Sequence, residues 1–235
     1  IQPSQADYFQ TVKGGGHGDY RLIALAPASV QEMADFVGLA FDLAFKYRNP
    51  AIILADGVIG QMMEKVVLPE QRPRLTNEEV MARCPWATFG KLKHRGPNIV
   101  TSLELDPAEM EKRNIHLQQK YAEIEEKEVR YEEIHCDDAE YLIVAFGSCA
   151  RIAQKAMEEA RAEGIKVGLL RPITLWPFPS KAIAERSRQV KGILTVELNA
   201  GQMVEDVRLA VECKVPVEYF GRLGGIVPDP DEVVT

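Results

Sequence analysis

The sequence predicts an α/β fold carried on parallel sheets, and three observations predict it. Short apolar runs recur at residues 22–27, 51–55, 141–146, 167–171 and 192–198. Helical stretches with capping signals separate most of them. The runs end in polar or glycine joints: Asp56-Gly57, Gly147-Ser148 and Asn199-Ala200-Gly201-Gln202. Alternation of this kind implies parallel strands joined by right-handed helical crossovers, with layers of the Rossmann-like kind.

The first distinctive stretch is Lys13-Gly14-Gly15-Gly16-His17-Gly18-Asp19-Tyr20, just before the first strand. Its glycines permit positive φ and a close approach of backbone to a ligand. It is neither G-x-G-x-x-G between strand and helix nor a P-loop. Two readings stand: a flexible surface turn, or a ligand-contacting loop lined by Gly15, Gly16 and Gly18 in which His17 donates a proton.

Ser29 and Glu32 then form a capping signal for a helix running to about Arg48. Its polar positions are nearly confined to Gln31, Asp35, Asp42 and Lys46, whereas Phe36, Leu39, Phe41, Leu43 and Phe45 are apolar. So narrow a wet stripe predicts cover on two sides, by its own sheet and by either a partner subunit or another layer of this chain.

Asp56 ends the second strand, where ligands or partner subunits meet parallel sheets. Asp56-Gly57 with Asn77 only weakly matches an Asp-Gly…Asn magnesium–diphosphate pattern, because Ala55 precedes it and Asn77 sits in a capping context. Residues 62–104 look irregular, with one short helix capped by Thr76 and Glu79. Asp106-Pro107-Ala108-Glu109 opens a further helix, predicted to carry Met110, Leu117, Tyr121, Ile124 and Tyr131 on one face. It is expected to connect two domains, giving divisions at 1–104, 105–136 and 137–235.

In the last division Gly147-Ser148 offers either an anion site at a helix N-terminus or, preferably, Ser148 as an N-cap. Asn199 and Gln202 occupy an equivalent joint and are expected to serve an interface or to stand behind a site, with Glu197 pointing from the strand end. The N-terminal part shows only two strands and no initial methionine, so the chain is expected to be the later portion of a longer polypeptide.

Composition narrows the function classes. With 46% hydrophobic and 27% charged residues the chain is an ordinary globular one. Its formal charge of −7, without a basic stripe, argues against nucleic acid. No apolar run is long enough for a membrane helix. Cys84, Cys136, Cys149 and Cys213 never form C-x-x-C, which predicts reduced thiols in a cytoplasmic protein and no iron–sulfur cluster or metal site in this chain.

Several runs carry a resemblance. Residues 171–179, Arg-Pro-Ile-Thr-Leu-Trp-Pro-Phe-Pro, and the Glu197-x-Asn199-x-Gly201-Gln202 pattern resemble the C-terminal domain shared by transketolases and 2-oxoacid oxidoreductases. The runs 2–10, 14–21 and 25–33, with Ile53-Leu54-Ala55-Asp56-Gly57 and Gly60-Gln61-Met62-Met63, resemble the alpha subunit of 2-oxoacid:ferredoxin oxidoreductases, nearest the branched-chain type. The resemblance implies part of a thiamine pyrimidine-binding domain followed by a transketolase C-terminal-like domain. It implies oxidative decarboxylation of a 2-oxoacid, such as 2-oxoisovalerate, to an acyl-CoA with electrons to ferredoxin. Thiamine diphosphate and magnesium would be held mainly by a beta subunit, and iron–sulfur clusters by ferredoxin-like gamma and delta subunits. The family's activating carboxylate and substrate-binding arginine and threonine fall before Ile1, leaving the His17 loop as the nearest contributor. The rivals are a thiamine-dependent dehydrogenase or transketolase-like subunit that does not use ferredoxin, and a non-catalytic assembly module.

Overall fold

The computed structural model describes residues 1–88, Lys93 and residues 96–235. They fall into two compact units, residues 1–68 with 117–235, and residues 69–116.

In the larger unit, α1 (Tyr8–Val12), β1 (Ile23–Leu25), α2 (Val30–Tyr47), β2 (Ala51–Ile53) and α3 (Gly57–Gln61) come first. The smaller unit holds α4 (Asn77–Arg83), whose Thr76–Glu79 capping box forms as expected. Residues 89–92 and 94–95, within the stretch expected to be irregular, lie outside the described residues. The helix α5 (Pro107–Lys127) contributes residues to both units. Then follow β3 (Tyr131–Ile134), β4 (Tyr141–Ala145), α6 (Gly147–Ala162), β5 (Val167–Pro172), β6 (Thr174–Trp176), α7 (Ser180–Arg186), β7 (Gly192–Glu197), α8 (Met203–Val211), β8 (Val217–Gly221) and α9 (Pro230–Val234).

Two sheets result, ordered β2-β1-β6 and β3-β5-β4-β7-β8. The β5-β4-β7-β8 pairs are parallel, as the crossovers require. Leu142 and Val144 of β4 join one buried cluster and Ile143 and Ala145 another, so the strand is covered on both faces. That double burial is why β4 reads as a continuous apolar run. Each fully buried aliphatic side chain of this kind stabilises the fold by about 1.5–3 kcal/mol.

Three expectations need correction. The first sheet has a third strand: β6, from the Arg-Pro-Ile-Thr-Leu-Trp run, pairs antiparallel with β1. Tyr131 is not on α5, which ends at Lys127, but opens β3, antiparallel to β5. The physical reason lies at Glu128, whose carboxylate accepts from Lys46 Nζ (2.6 Å), Tyr47 Oη (2.6 Å) and Arg130 Nη2 (2.9 Å), while Arg130 N donates to Thr174 Oγ1 at 2.9 Å. These partners draw the chain out of the helix and alongside β5 and β6. Ser148 is not an N-cap either. The cap position is Phe146, and Ser148 lies in the first turn of α6.

The helix α2 starts as expected, Ser29 Oγ accepting from Glu32 N at 3.1 Å. Glu32 is instead turned to Ala28 N (2.7 Å) and to a bidentate pair with Arg171 (2.7 and 2.8 Å). Phe36, Leu43 and Tyr47 are buried, but Val37, Phe41 and Phe45, spaced by four, are 49%, 63% and 53% exposed. Among the described residues, this apolar stripe is therefore largely exposed.

Candidate functional site

The larger sheet changes direction between β4 and β7. From β4 the chain crosses to β5 on one side, and later β7 and β8 extend the other. In open α/β sheets ligands bind outside the strand carboxyl ends at such a switch point. Here the crevice is filled by the chain itself. Gln5, 3% exposed, donates its N–H to Leu198 O at 2.9 Å and its side-chain amide to Phe146 O at 2.9 Å. Its Oε1 accepts from Leu198 N at 3.1 Å, and its carbonyl accepts from Asn199 Nδ2 at 3.0 Å.

Asp56 closes the rest. It is 6% exposed, and its Oδ1 accepts from Val58 N (2.9 Å) and Ile59 N (3.2 Å), capping α3. Its Oδ2 accepts from Ser148 N (3.1 Å), Ser148 Oγ (2.7 Å) and, at 3.5 Å, Gln5 Nε2. The carboxylate thus occupies the N-terminus of α6, where a helix dipole and free amides would hold an external anion. Gly147 makes room for it: φ is +58°, and a Cβ there would stand 2.9 Å from Gln5 Nε2 and 3.1 Å from Asp56 Oδ2. The N-terminus of α8 is treated alike. Glu197, fully buried, accepts from Gln202 N, Met203 N and Val204 N at 3.2, 2.8 and 2.9 Å.

Asn199 and Gln202, expected to serve an interface or stand behind a site, hold the N-terminal segment. Asn199 Oδ1 also accepts from Gly201 N at 2.8 Å. Gln202 donates to Ala6 O and accepts from Phe9 N, each at 2.8 Å. The sequence offered no signal for Gln5, whose side-chain partners all lie far along the chain.

That segment leads through α1 to the glycine loop. Tyr8 donates its hydroxyl to Asp206 Oδ2 at 2.7 Å, and Lys13 pairs with the same carboxylate. Burial and the Asp206 carboxylate beside it raise the Tyr8 phenol well above its ordinary range. Gly14 (φ +91°) and Gly18 (φ +96°) use the left-handed region. Gly15 N and Gly16 N donate to the Tyr20 hydroxyl at 2.7 and 2.8 Å. His17 stands exposed immediately after them. A cavity of about 590 Å³ is lined by Lys13 and Arg21, which flank the loop, and by Trp176, Phe178, Lys181 and Asp206. Among the described residues no hydrogen bond joins His17 to Asp56, Asn199 or Gln202, so the expected site residues fall into two groups.

Two of the four thiols are held back from reaction by burial. Burial, with Asp56 and Glu197 nearby, pushes the Cys149 thiol up, and burial raises Cys136 to about 11. Neither forms a thiolate readily near neutral pH. Among the described residues no three His, Cys, Asp or Glu side chains are grouped to hold a metal ion. Nor is any helix there long and apolar enough to cross a membrane.

Comparison with known proteins gives a consistent picture. Residues 1–134 match the family model described as pyruvate flavodoxin/ferredoxin oxidoreductase, thiamine diphosphate-binding, and residues 139–233 match pyruvate:ferredoxin oxidoreductase core domain II. The chain is 52% identical over 225 residues to ketoisovalerate oxidoreductase subunit VorB of Methanothermobacter marburgensis, covering 96% of this chain and 62% of that protein. It is 32% identical over 251 residues to 2-oxoglutarate synthase subunit KorA of the same organism, covering 98% and 67%. A solved structure of 2-oxoglutarate:ferredoxin oxidoreductase from Magnetococcus marinus, with 2-oxoglutarate, coenzyme A and succinyl-CoA bound, shares the fold. There the TM-score is 0.77 at 22% identity, over 99% of this chain and 44% of that one. The chain thus spans about three-fifths of the length of VorB.

Proposed function

The chain belongs to the pyruvate flavodoxin/ferredoxin oxidoreductase family, and on that premise we propose that it is the alpha-subunit portion of a 2-oxoacid:ferredoxin oxidoreductase. The reaction would be oxidative decarboxylation of a branched-chain 2-oxoacid, 2-oxoisovalerate, to its acyl-CoA, with electrons passed to ferredoxin. The observation that carries this reading is the 52% identity to VorB along 96% of the chain, against 32% to KorA.

The geometry supports a division of labour. Magnesium and a diphosphate do not fit the helix N-termini of α6 and α8, because the Asp56 and Glu197 carboxylates already accept the donors there. A partner beta subunit would hold those groups, and further subunits would hold the iron–sulfur clusters. The domains would be 1–104, 105–136 and 137–235, in a cytoplasmic assembly. The exposed stripe Val37, Phe41 and Phe45 would seat the partner, since an apolar helix face of this kind marks an interface. His17, with Gly15, Gly16 and Gly18 around it, would be this chain's contribution to the chemistry. As a donor it would stabilise negative charge developing while the 2-oxoacid loses its carboxylate.

The test is reconstitution. The full-length protein, mixed with its beta and cluster-bearing subunits, should reduce a viologen dye when given coenzyme A and 2-oxoisovalerate. The kcat/KM for 2-oxoisovalerate should exceed that for 2-oxoglutarate or pyruvate. Equal or reversed preference would sink the substrate assignment, and no 2-oxoacid-dependent reduction at all would sink the enzyme reading.

A further inference from the structure

The Tyr20 phenol lies where the glycine loop turns. Two successive amides, Gly15 N–H and Gly16 N–H, converge on its oxygen at 2.7 and 2.8 Å. Backbone concavities of this kind commonly hold an anion; here a neutral hydroxyl of the same chain fills it. Gly14 allows the fit: its φ is +91°, and a Cβ there would stand 3.3 Å from both Cζ and Oη of Tyr20. Gly18, in contrast, has φ +96° and nothing within 4 Å of its would-be Cβ. His17 therefore sits between a pair of amides pinned by the phenol and a glycine with open space where a Cβ would stand.

We infer that Tyr20 is a positioning residue: by gathering the Gly15 and Gly16 amides, its hydroxyl sets the loop that presents His17 to the reacting 2-oxoacid. This rests on the functional reading above, and it assigns a second residue to that site. The physical case is one of conformational freedom. In Tyr20→Phe the ring would keep its contacts, and solvent would pair the two exposed amides, so stability changes little. The loop, however, would be free to take other conformers, and a donor displaced by about 1 Å from a reacting centre is known to lose much of its effect.

The experiment uses the full-length protein assembled with its partner subunits, as wild type, Tyr20→Phe, His17→Ala and the double variant. Tyr20→Phe should lower kcat about five-fold, leave KM within about two-fold and leave the thermal midpoint unchanged. The double variant should match His17→Ala instead of multiplying the two losses, since one residue acts through the other. Backbone hydrogen exchange at Gly15 and Gly16, measured without substrate, should quicken in Tyr20→Phe. Unchanged exchange would overturn the hold of the phenol on the loop. Multiplicative losses would overturn its action through His17, as would a wild-type kcat for Tyr20→Phe where His17→Ala is impaired. If His17→Ala itself turns over normally, the role of His17 fails and the inference falls with it. The same exchange data would then still tell whether Tyr20 holds the loop, separating the two failures.

Discussion

Two joints of this chain gather backbone amides on one side chain beside a glycine of positive φ, yet they are physically opposite. At the switch point the acceptor is the Asp56 carboxylate, and Gln5, Asp56, Ser148 and Asn199 are only 3%, 6%, 2% and 2% exposed. At the glycine loop it is the neutral Tyr20 hydroxyl, and Gly15 through Asp19 are exposed. A buried anion already satisfied by fixed dipoles repels a second anion and cannot leave without stranding its donors. A neutral phenol on a wet loop can be shifted at small cost. The first joint is therefore a closed seam between strand ends, and the second is the one still open to solvent.

The comparison can be broken most directly at Asp56. Asp56→Ala removes the cap of α3 and strands the buried Ser148 N–H and hydroxyl donors, so it should cost about 3 kcal/mol. Thermal unfolding should register this as a drop of roughly 6–12 °C. A drop under about 2 °C would mean that the carboxylate does not hold the seam.

A pair of glycine substitutions sharpens the contrast. Gly147→Ala combines φ +58° with a Cβ 2.9 Å from Gln5 Nε2. Gly18→Ala meets only the backbone strain of φ +96°. The first should destabilise by about 2 kcal/mol and the second by about 1 kcal/mol. Equal losses of midpoint would show that the crevice has slack.

For the histidine of the open joint the effect should be on rate and not on stability. His17→Ala in the assembled enzyme should lower turnover about ten-fold while the thermal midpoint moves by less than about 1 °C. Turnover within about two-fold of wild type would leave the loop as a turn in which only the glycines matter.

Glu128, outside both joints, supplies a control for buried carboxylates. Burial raises its carboxyl, but the bonds from Lys46, Tyr47 and Arg130 outweigh burial and bring its pKa down from 4.5 to about 2. The folded value lies below the unfolded one, so its stabilisation is complete above pH 4.5 and is lost as pH falls from 4.5 towards 2. In acid titrations of stability, Glu128→Gln should be less stable than wild type at pH 7, the gap narrowing across that window. A constant gap would mean that the carboxylate gains nothing from its partners.

Much of the fold was legible because its signals act within one helical turn. The Ser29 and Thr76 caps and the Asp106-Pro107 start each bond to amides two to three residues away. Buried strands advertise themselves by burial on both faces, as β4 does. The glycine loop and His17 could be picked out the same way. Tyr20 was missed although it lies only four to five residues from its amides, since nothing in an aromatic residue after glycines says that its oxygen turns back.

What only the tertiary structure decided is which strand end stays open. Gln5 meets Phe146 across 141 residues of chain, and Asp56 meets Ser148 across 92. The pairing of β6 with β1 is of the same non-local kind, as is the departure of Tyr131 from α5. A polar side chain in sequence declares only that it needs a partner. Over such separations the partner is chosen by how the sheets pack, and that choice made the N-terminus of α6 a seam closed by the chain's own carboxylate.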